Sequence, residues 1–382
     1  MRMKSDPAVN SKRGKPDRIL GPRELNRALL ARQFLIQRAR LSVADALEHL
    51  IGLQSQAPLP PYIGLWTRLD GFTHDSLSRL MLNRDAVRIA LMRSTIFLVT
   101  ARDCLALRPL LQPVLDRGFK GNHGRKLAGA DPHAAAAVGR ELVEEQPRTF
   151  NELGQLLQSR WSEADPAALA AAVRTLVPLV QIPPRGIWGQ GGQAMHTSAE
   201  HWLGKPLAAD VEIDALMLRY LRAFGPATAA DMQVWSGLTR IREVTERLRP
   251  QLRTFADPNG NELFDVPDAA LPDPNMPVPV RYLAEFDNML LSYQDRSRII
   301  ADEDRKRVFT VNGIIHATFL VDGFVHGIWS IERQKNEAVL MIEPFKPLAP
   351  NEKEALIEEG AKLLDFAAAD AGDRDIRFSP PA

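Results

Sequence analysis

Two glutamines one residue apart, Gln54 and Gln56, stand in an otherwise apolar, proline-rich stretch running from Leu50 to Trp66. Glutamine is neither acid nor base. Its amide donates from nitrogen and accepts at oxygen, so a pair of them can hold a small polar molecule without exchanging a proton with it. The same groups can instead bond the backbone of a turn and fix its shape. On spacing alone, fixing the turn is the simpler reading. Pro58, Pro60 and Pro61 stop any helix that approaches them, because proline lacks an amide proton and disfavours helix in the residue ahead of it. The pair is therefore expected at a helix C-terminus or just past it, with both side chains able to point into a cleft.

Other chemistries find little material. His196 and His201 are five apart, off any single helical face, and neither HExxH nor CxxC occurs, so zinc catalysis is not expected. Gly189-Gln190-Gly191-Gly192 lacks the following Lys-Ser/Thr of a phosphate-binding loop and reads as a turn. No nucleophile elbow with Ser, His and Asp is present. Cys104 is the single cysteine; it permits no internal disulfide, fits a reducing cytosol, and reads as a buried structural thiol.

The elements that carry the pair follow a repeated order. Arg23–Gln33 and Ser42–Gln54 read as helices, the second with Ser42 as N-cap and Asp45 in the capping-box position. After a proline turn comes a helix over His74–Leu82 capped by Thr73, then strands over Val87–Met92 and Thr95–Val99. Helices followed by a hairpin describe a winged helix. The order recurs as helices over Asp131–Glu145, Thr149–Arg160 and Asp165–Leu176, with short strands over Leu179–Ile182 and Gly186–Trp188. It recurs again as Val211–Phe224, a helix restarting after Gly225-Pro226-Ala227-Thr228 through Ser236, Thr239–Leu248, and strands over Leu252–Phe255 and Glu262–Val266. The C-terminal part is β-rich, with strands over Val308–Val311, Ile314–Val321, Phe324–Ile331 and Ala338–Pro344. Asn312-Gly313 and Asp322-Gly323 serve as hairpin turns, and a closing helix spans Asn351–Ala369.

The fold class is thus α+β: three tandem winged-helix units and a C-terminal β-rich segment. The divisions are 1–20, a disordered basic tail; 21–130, the first winged helix with the glutamines; 131–208, the second; 209–300, the third; and 301–382, a sheet and helix expected to pack on the third unit. Met1–Arg18 has no apolar core and does not read as a secretory signal. Hydrophobic residues make up 45% and charged residues 25%, ordinary for a globular protein, and no apolar run is long enough for a membrane span.

Net charge is +1, but it is unevenly spread. Of the 48 Lys and Arg, 22 fall in residues 1–130, leaving 26; of the 47 Asp and Glu, 10 do, leaving 37. A basic N-terminal third points to a polyanion, since neutralising phosphates supplies most non-specific nucleic-acid affinity. Arg93, Ser94 and Thr95 form the tip of the first hairpin, and Gly121–Lys126 is a flexible basic loop whose Arg125 and Lys126 suit phosphate contact. Arg298 lies in the mixed acidic and basic segment Glu285–Arg298, where interdomain ion pairing is the favoured role over DNA contact.

In combination these residues resemble a family. Leu53-Gln54-Ser55-Gln56-Ala57-Pro58 with Tyr62 and Leu65–Leu69, Met92–Thr100, Phe224–Thr228 with Asp231 and Trp235, and Phe286-Asp287-Asn288 with Asp295-Arg296 are similar to the bacterial winged-helix DNA glycosylases of the AlkZ type. The likeness runs from about Arg23 to about Asp370. The resemblance implies a C-shaped scaffold of three winged helices around duplex DNA. It also implies a Gln-x-Gln motif that places a water at the sugar C1′ of an alkylated nucleotide. A sister branch has Asp for the second Gln; Gln56 puts this chain in the first. Ser55 departs from the family, which usually has an apolar residue there.

The chemistry agrees with the resemblance. A purine alkylated at N7 is cationic and leaves neutral, so no proton donor is needed, and amides that place water and hold the sugar suffice. No lysine lies in the motif, so a monofunctional glycosylase without Schiff-base chemistry is expected, with Gln54 and Gln56 catalytic, no cofactor and no metal. The expected partner is double-stranded DNA with alkylated purines, bound by a monomer in the cytoplasm at the nucleoid, with no membrane. The resemblance further implies action on bulky cross-links, in keeping with the lack of an aromatic box for a flipped base. Tyr62 and Trp66 read as core or loop anchors. Two other readings stand beside it: a winged-helix transcriptional regulator reading bases with Arg240, Arg242, Glu243 and Arg247, and a noncatalytic DNA scaffold.

Overall fold

Proline opens the first helix, α1 (Pro22–Arg32), at the position where its missing amide costs nothing. The structure is a computed structural model and describes residues 18–380; the expected tail therefore lies outside the described residues except for Arg18–Leu20. Those three run beside a later strand, with Leu20 N donating to Ala256 O at 2.8 Å and Leu20 fully buried, so the tail does not extend to residue 20. In α2 (Val43–His49), Ser42 Oγ accepts from Asp45 N as expected, but the helix stops at His49. Ile51 (φ 56°) and Gly52 (φ 81°) turn the chain, and Leu53–Gln54 is a strand, β1. Pro60 and Pro61 begin a helix, α3 (Pro60–Trp66), instead of only ending one. Then follow α4 (His74–Leu82) with Thr73 as cap, β2 (Ala86–Ala90) and β3 (Ile96–Thr100), joined by the turn Met92–Ser94, α5 (Ala101–Leu110) and α6 (Gln112–Asn122).

The second unit has α7 (Pro132–Glu145), α8 (Phe150–Gln158, with the Thr149–Glu152 capping box) and α9 (Pro166–Leu176), around its own core of Ala135, Val143, Leu153, Leu157, Leu169 and Val173. Its strands are β4 (Leu179–Gln181) and β5 (His196–Ser198); Gly186–Trp188, read as a strand, is a turn. A short α10 (Ala199–Leu203) follows. The first two units share one five-stranded sheet in the order β1-β3-β2-β4-β5, where separate hairpins were expected.

The third unit contains α11 (Ile213–Phe224), α12 (Ala229–Ser236, capped by Thr228 with Asp231 in return), α13 (Ile241–Leu248) and the hairpin β6 (Arg253–Ala256) and β7 (Glu262–Asp265). Tyr220, Phe224 and Trp235 pack ring against ring in a core that also takes in Val87, Ile89, Phe97, Leu283 and Val325. The hydrophobic core therefore runs through units one and three and the C-terminal sheet, and burial of that shared apolar surface is what joins them.

The last sheet starts at β8 (Arg281–Leu283), earlier than expected, and continues after the short helices α14 (Asn288–Leu291) and α15 (Arg305–Val308). Its other strands are β9 (Thr318–Val321), β10 (Phe324–Gln334), β11 (Glu337–Pro344) and β12 (Asp373–Phe378), in the order β12-β11-β10-β9-β8. Asp322 and Gly323, both at positive φ, make the expected β9–β10 turn. The strand expected over Val308–Val311 is the end of α15 and a loop. Strands β11 and β12 are parallel, so the chain crosses over between them through α16 (Pro350–Ala367). One apolar cluster of this sheet packs α16 together with Ile63 and Trp66 of α3, so the sheet closes on the first unit as well as the third. Among the described residues no helix is long and apolar enough to cross a membrane.

The closure is locked by an ion pair. Arg68, just past α3, and Asp287, which caps α14, are both buried and bond twice, at 2.7 and 2.8 Å. Arg68→Met alone strands a buried carboxylate and is expected to cost about 3–5 kcal/mol, whereas pairing it with Asp287→Leu recovers most of that loss. Urea unfolding of the single and double variants measures both.

Candidate functional site

Gln54 sits opposite Phe97 in the β1–β3 pairing, so its position is set by a sheet and not by a helix end. The sheet needs Gly52 beside it. A Cβ on Gly52 would lie 2.7 Å from Leu98 O, and its φ of 81° belongs to the left-handed region. The signal was in the sequence: a glycine after an apolar helical run marks the stop.

Gln54 is 7% exposed, while Gln56 is exposed. The Gln54 Oε1 accepts from Arg93 Nη2 at 2.6 Å. The Gln56 Oε1 accepts from the backbone N–H of Ile96 at 3.2 Å. Both carbonyl oxygens are thus committed to the scaffold, and both amide NH2 groups are left to donate, without partners among the described residues. Ser55, between them, is fully buried; its Oγ and O accept from Arg88 Nε at 2.9 Å and Nη2 at 2.8 Å. A hydroxyl in place of an apolar side chain is thus explained by the arginine beneath it. Arg88 was overlooked in the sequence; an arginine between Val87 and Ile89 in a buried strand was its signal.

The pair is also held from below. Asn288 Nδ2 donates to Gly52 O at 2.7 Å, and its Oδ1 accepts from Gln54 N at 3.4 Å. With Asp287 paired to Arg68, the Glu285–Asn288 segment plays the structural role expected of it. A small cleft of about 10 Å³, space for about one water, is lined by Gln54, Pro60, Pro61, Gly64, Glu285 and Asn288. Burial raises the Glu285 carboxyl above its ordinary range, opposed by nearby His316.

The turn that carries Arg93, Ser94 and Thr95 is docked, not free. Arg93, in the left-handed region at φ 56°, donates Nη1 to Trp235 O at 2.6 Å. Burial, and then the charge of Arg296, lower its pKa to about 10, so it stays a cation at neutral pH. Ser94 O accepts from Arg174 Nη2 at 3.0 Å, and Thr95 Oγ1 donates to Met92 O at 3.0 Å. Arg125 and Lys126 are exposed on the short helical turn Gly124–Leu127 after α6. Arg298 is 5% exposed, donates to Pro226 O at 2.6 Å and stacks over Tyr293 at 4.2 Å; it borders a polar recess of about 770 Å³ beside α12, α13 and the β6–β7 turn, which does not include the glutamines. On α13, Arg247 is ion-paired with Asp214. The thiol of buried Cys104 is pushed up to about 12 by burial. No group of metal-ligating side chains occurs among the described residues.

The family model for AlkZ-like DNA glycosylases matches residues 47–366. The interstrand DNA cross-link repair glycosylase of Streptomyces sahachiroi is 24% identical over 364 residues, covering 85% of this chain and 92% of that one. The solved structure of the Streptomyces sahachiroi DNA glycosylase AlkZ superposes with a TM-score of 0.77 at 20% identity, over 94% of this chain and all of that one.

Gly52→Ala is expected to destabilise by roughly 1–3 kcal/mol through strain and clash. Gly71→Ala, also at positive φ but with open space around it, provides the control, and the difference in thermal unfolding isolates the close approach to β3.

Proposed function

The chain belongs to the AlkZ-like DNA glycosylase family, and we propose that it hydrolyses the N-glycosidic bond of cationic N7-alkyl purines in double-stranded DNA, with Gln54 and Gln56 as the catalytic amides. The observation that carries this reading is the fixed orientation of the pair, with both oxygens bound and both NH2 groups without partners among the described residues. One NH2 donates to the water, leaving the second lone pair of that water free to attack C1′; the other holds the sugar–phosphate backbone. Placement of this kind lowers the barrier by proximity and suits a base that leaves without a proton.

Room at the site supports bulky lesions. The cleft is far below the roughly 300–1,000 Å³ of a ligand pocket, so a flipped purine is not enclosed beside Gln54 and the lesion stays in the open. The curated relative is named for interstrand cross-link repair, and unhooking of such cross-links is part of the proposal. The cleft lining holds no lysine, in keeping with a monofunctional enzyme.

DNA is met by the basic first unit. Arg125 and Lys126 contact phosphates, since both are exposed and without ion-pair partners among the described residues. Ser94 and Thr95 lie next to the pair and approach the backbone at the lesion. Arg93 acts through Gln54. Arg298, turned inward, acts at the wall of the polar recess.

Single-turnover release of 7-methylguanine from methylated duplex, read as alkali-labile breaks, tests the reading. Gln54→Ala and Gln56→Ala are each expected to lower the rate on the order of 10²-fold, the scale for losing one fixed donor, with the fold intact by circular dichroism. Unchanged release in the double variant refutes the assignment. Arg125→Ala with Lys126→Ala is expected to weaken DNA binding and flatten its salt dependence by about two phosphate contacts.

A further inference from the structure

The anchored glutamines leave one requirement unmet. A water that adds to C1′ must lose a proton, and the sugar in the transition state carries oxocarbenium-like positive charge. Neither amide of the pair can take that proton, because a glutamine side chain is not a base, and each oxygen already accepts a hydrogen bond, from Arg93 and from the Ile96 N–H. Beneath the turn lie two cations, Arg88 and Arg93, and neither has an ion-pair partner among the described residues. An acceptor and a negative charge are therefore needed, and the chemistry says they belong on the cleft side of Gln54.

The cleft holds two carboxylates. Asp287 is buried and engaged by Arg68 through both oxygens. Glu285 is exposed, lines the cleft with Gln54 and has no hydrogen bond or ion pair among the described residues. Its segment is rigid on both sides. β8 ends at Leu283 and pairs with β9, Phe286 adopts the left-handed region at φ 57°, and Asp287 and Asn288 are tied to Arg68 and Gly52. A non-glycine residue in that conformation is held there by its surroundings and marks functional sites.

Resting on the proposed water-positioning role of the glutamines, we propose that Glu285 is the general base of the reaction and the anion that steadies the sugar cation. Its carboxylate takes a proton from the water as the water oxygen bonds C1′. The C1′–N9 bond breaks, and its electron pair neutralises the cationic purine, which leaves uncharged. One water is consumed, one abasic sugar and one neutral base are formed, and the proton rests on Glu285 until solvent removes it.

The charged surroundings of Glu285 are consistent with that duty. The α3 and β1 residues lining the cleft, Leu53, Gln54, Pro60, Pro61 and Gly64, carry no titratable group. His316 is the nearby partner that favours the ionised form, and partial burial opposes it. A base whose pKa is lifted towards the working pH is the better for it. The rate must rise with pH while Glu285 ionises and level off above its pKa, because only the carboxylate form accepts the proton.

The test is single-turnover release of 7-methylguanine by the full-length protein from pH 5 to 9, with affinity for a duplex bearing a tetrahydrofuran abasic analogue measured in parallel. Glu285→Gln is expected to lower the rate 10- to 100-fold and to remove the acid limb of the profile, with abasic-duplex affinity within about threefold of the parent. Glu285→Ala is expected to regain rate with added formate, which no purely structural role would give. If Glu285→Gln stays within twofold of the parent, or keeps the acid limb, while Gln54→Ala loses activity, the base assignment is overturned and the glycosylase reading stands. If the parent releases no 7-methylguanine, or if neither Gln54→Ala nor Gln56→Ala affects release, both fall.

Discussion

The guanidinium of Arg93 is the tie on which the site depends. One of its nitrogens bonds the Gln54 carbonyl and another bonds the backbone of Trp235, so the same group orients the Gln54 amide and joins the first unit to the third. It is half-buried and has no carboxylate partner among the described residues, so carbonyl oxygens must take the place of a counter-ion; charge-assisted hydrogen bonds of this kind are among the stronger ones in proteins. Arg88 does the same for Ser55. Burial lowers both to about 10, and both remain charged at neutral pH. The result is a rigid loop on a positive foundation.

Much of the scaffold could be read from local signals. Ser42 and Thr73 are helix caps where their positions called for caps, and Asp322-Gly323 is the hairpin turn its residues demand. These features are decided within four or five residues. What the sequence did not disclose is non-local. The apolar run from Val43 to Leu53 fits a helix throughout, yet Gly52 stops it, and β3 then captures Leu53 and Gln54 as a strand. The joining of two hairpins into one sheet rests on Arg88 and Ile89 opposite Gln181 and Val180, a pairing no spacing rule predicts. Residues 286–288, far along the chain, close the underside of the motif. Their identity was legible in the resemblance; their partners Arg68 and Gly52 were not.

The interlocked cores explain why the site can be both open and fixed. Trp235, Phe97 and Leu283 come from three separate stretches yet share one core, and Ile63 and Trp66 of the first unit are packed under the C-terminal sheet. Protein interiors at crystal-like density are nearly incompressible, so a displacement of one element is resisted by those packed against it. The turn that bears Gln54 and Gln56 is therefore braced by elements on several sides, although Gln56 itself faces solvent. A site without a closed pocket gains its precision in this way, from the bracing of its wall.

Openness also limits which bonds such a site can break. A neutral purine is a poor leaving group and calls for a proton donor held in a dry cavity; amides in a shallow cleft supply neither the proton nor the dryness. A purine carrying positive charge on its imidazole ring needs neither, because bond cleavage itself discharges the ring. Selectivity then arises from the lesion's own reactivity and not from a shape that excludes other bases. Among the described residues the cleft at the glutamines holds about 10 Å³, whereas the recess of about 770 Å³ lies elsewhere on the molecule. Position matters in such a site, and two amides whose oxygens are bound to Arg93 and Ile96 have little freedom of orientation.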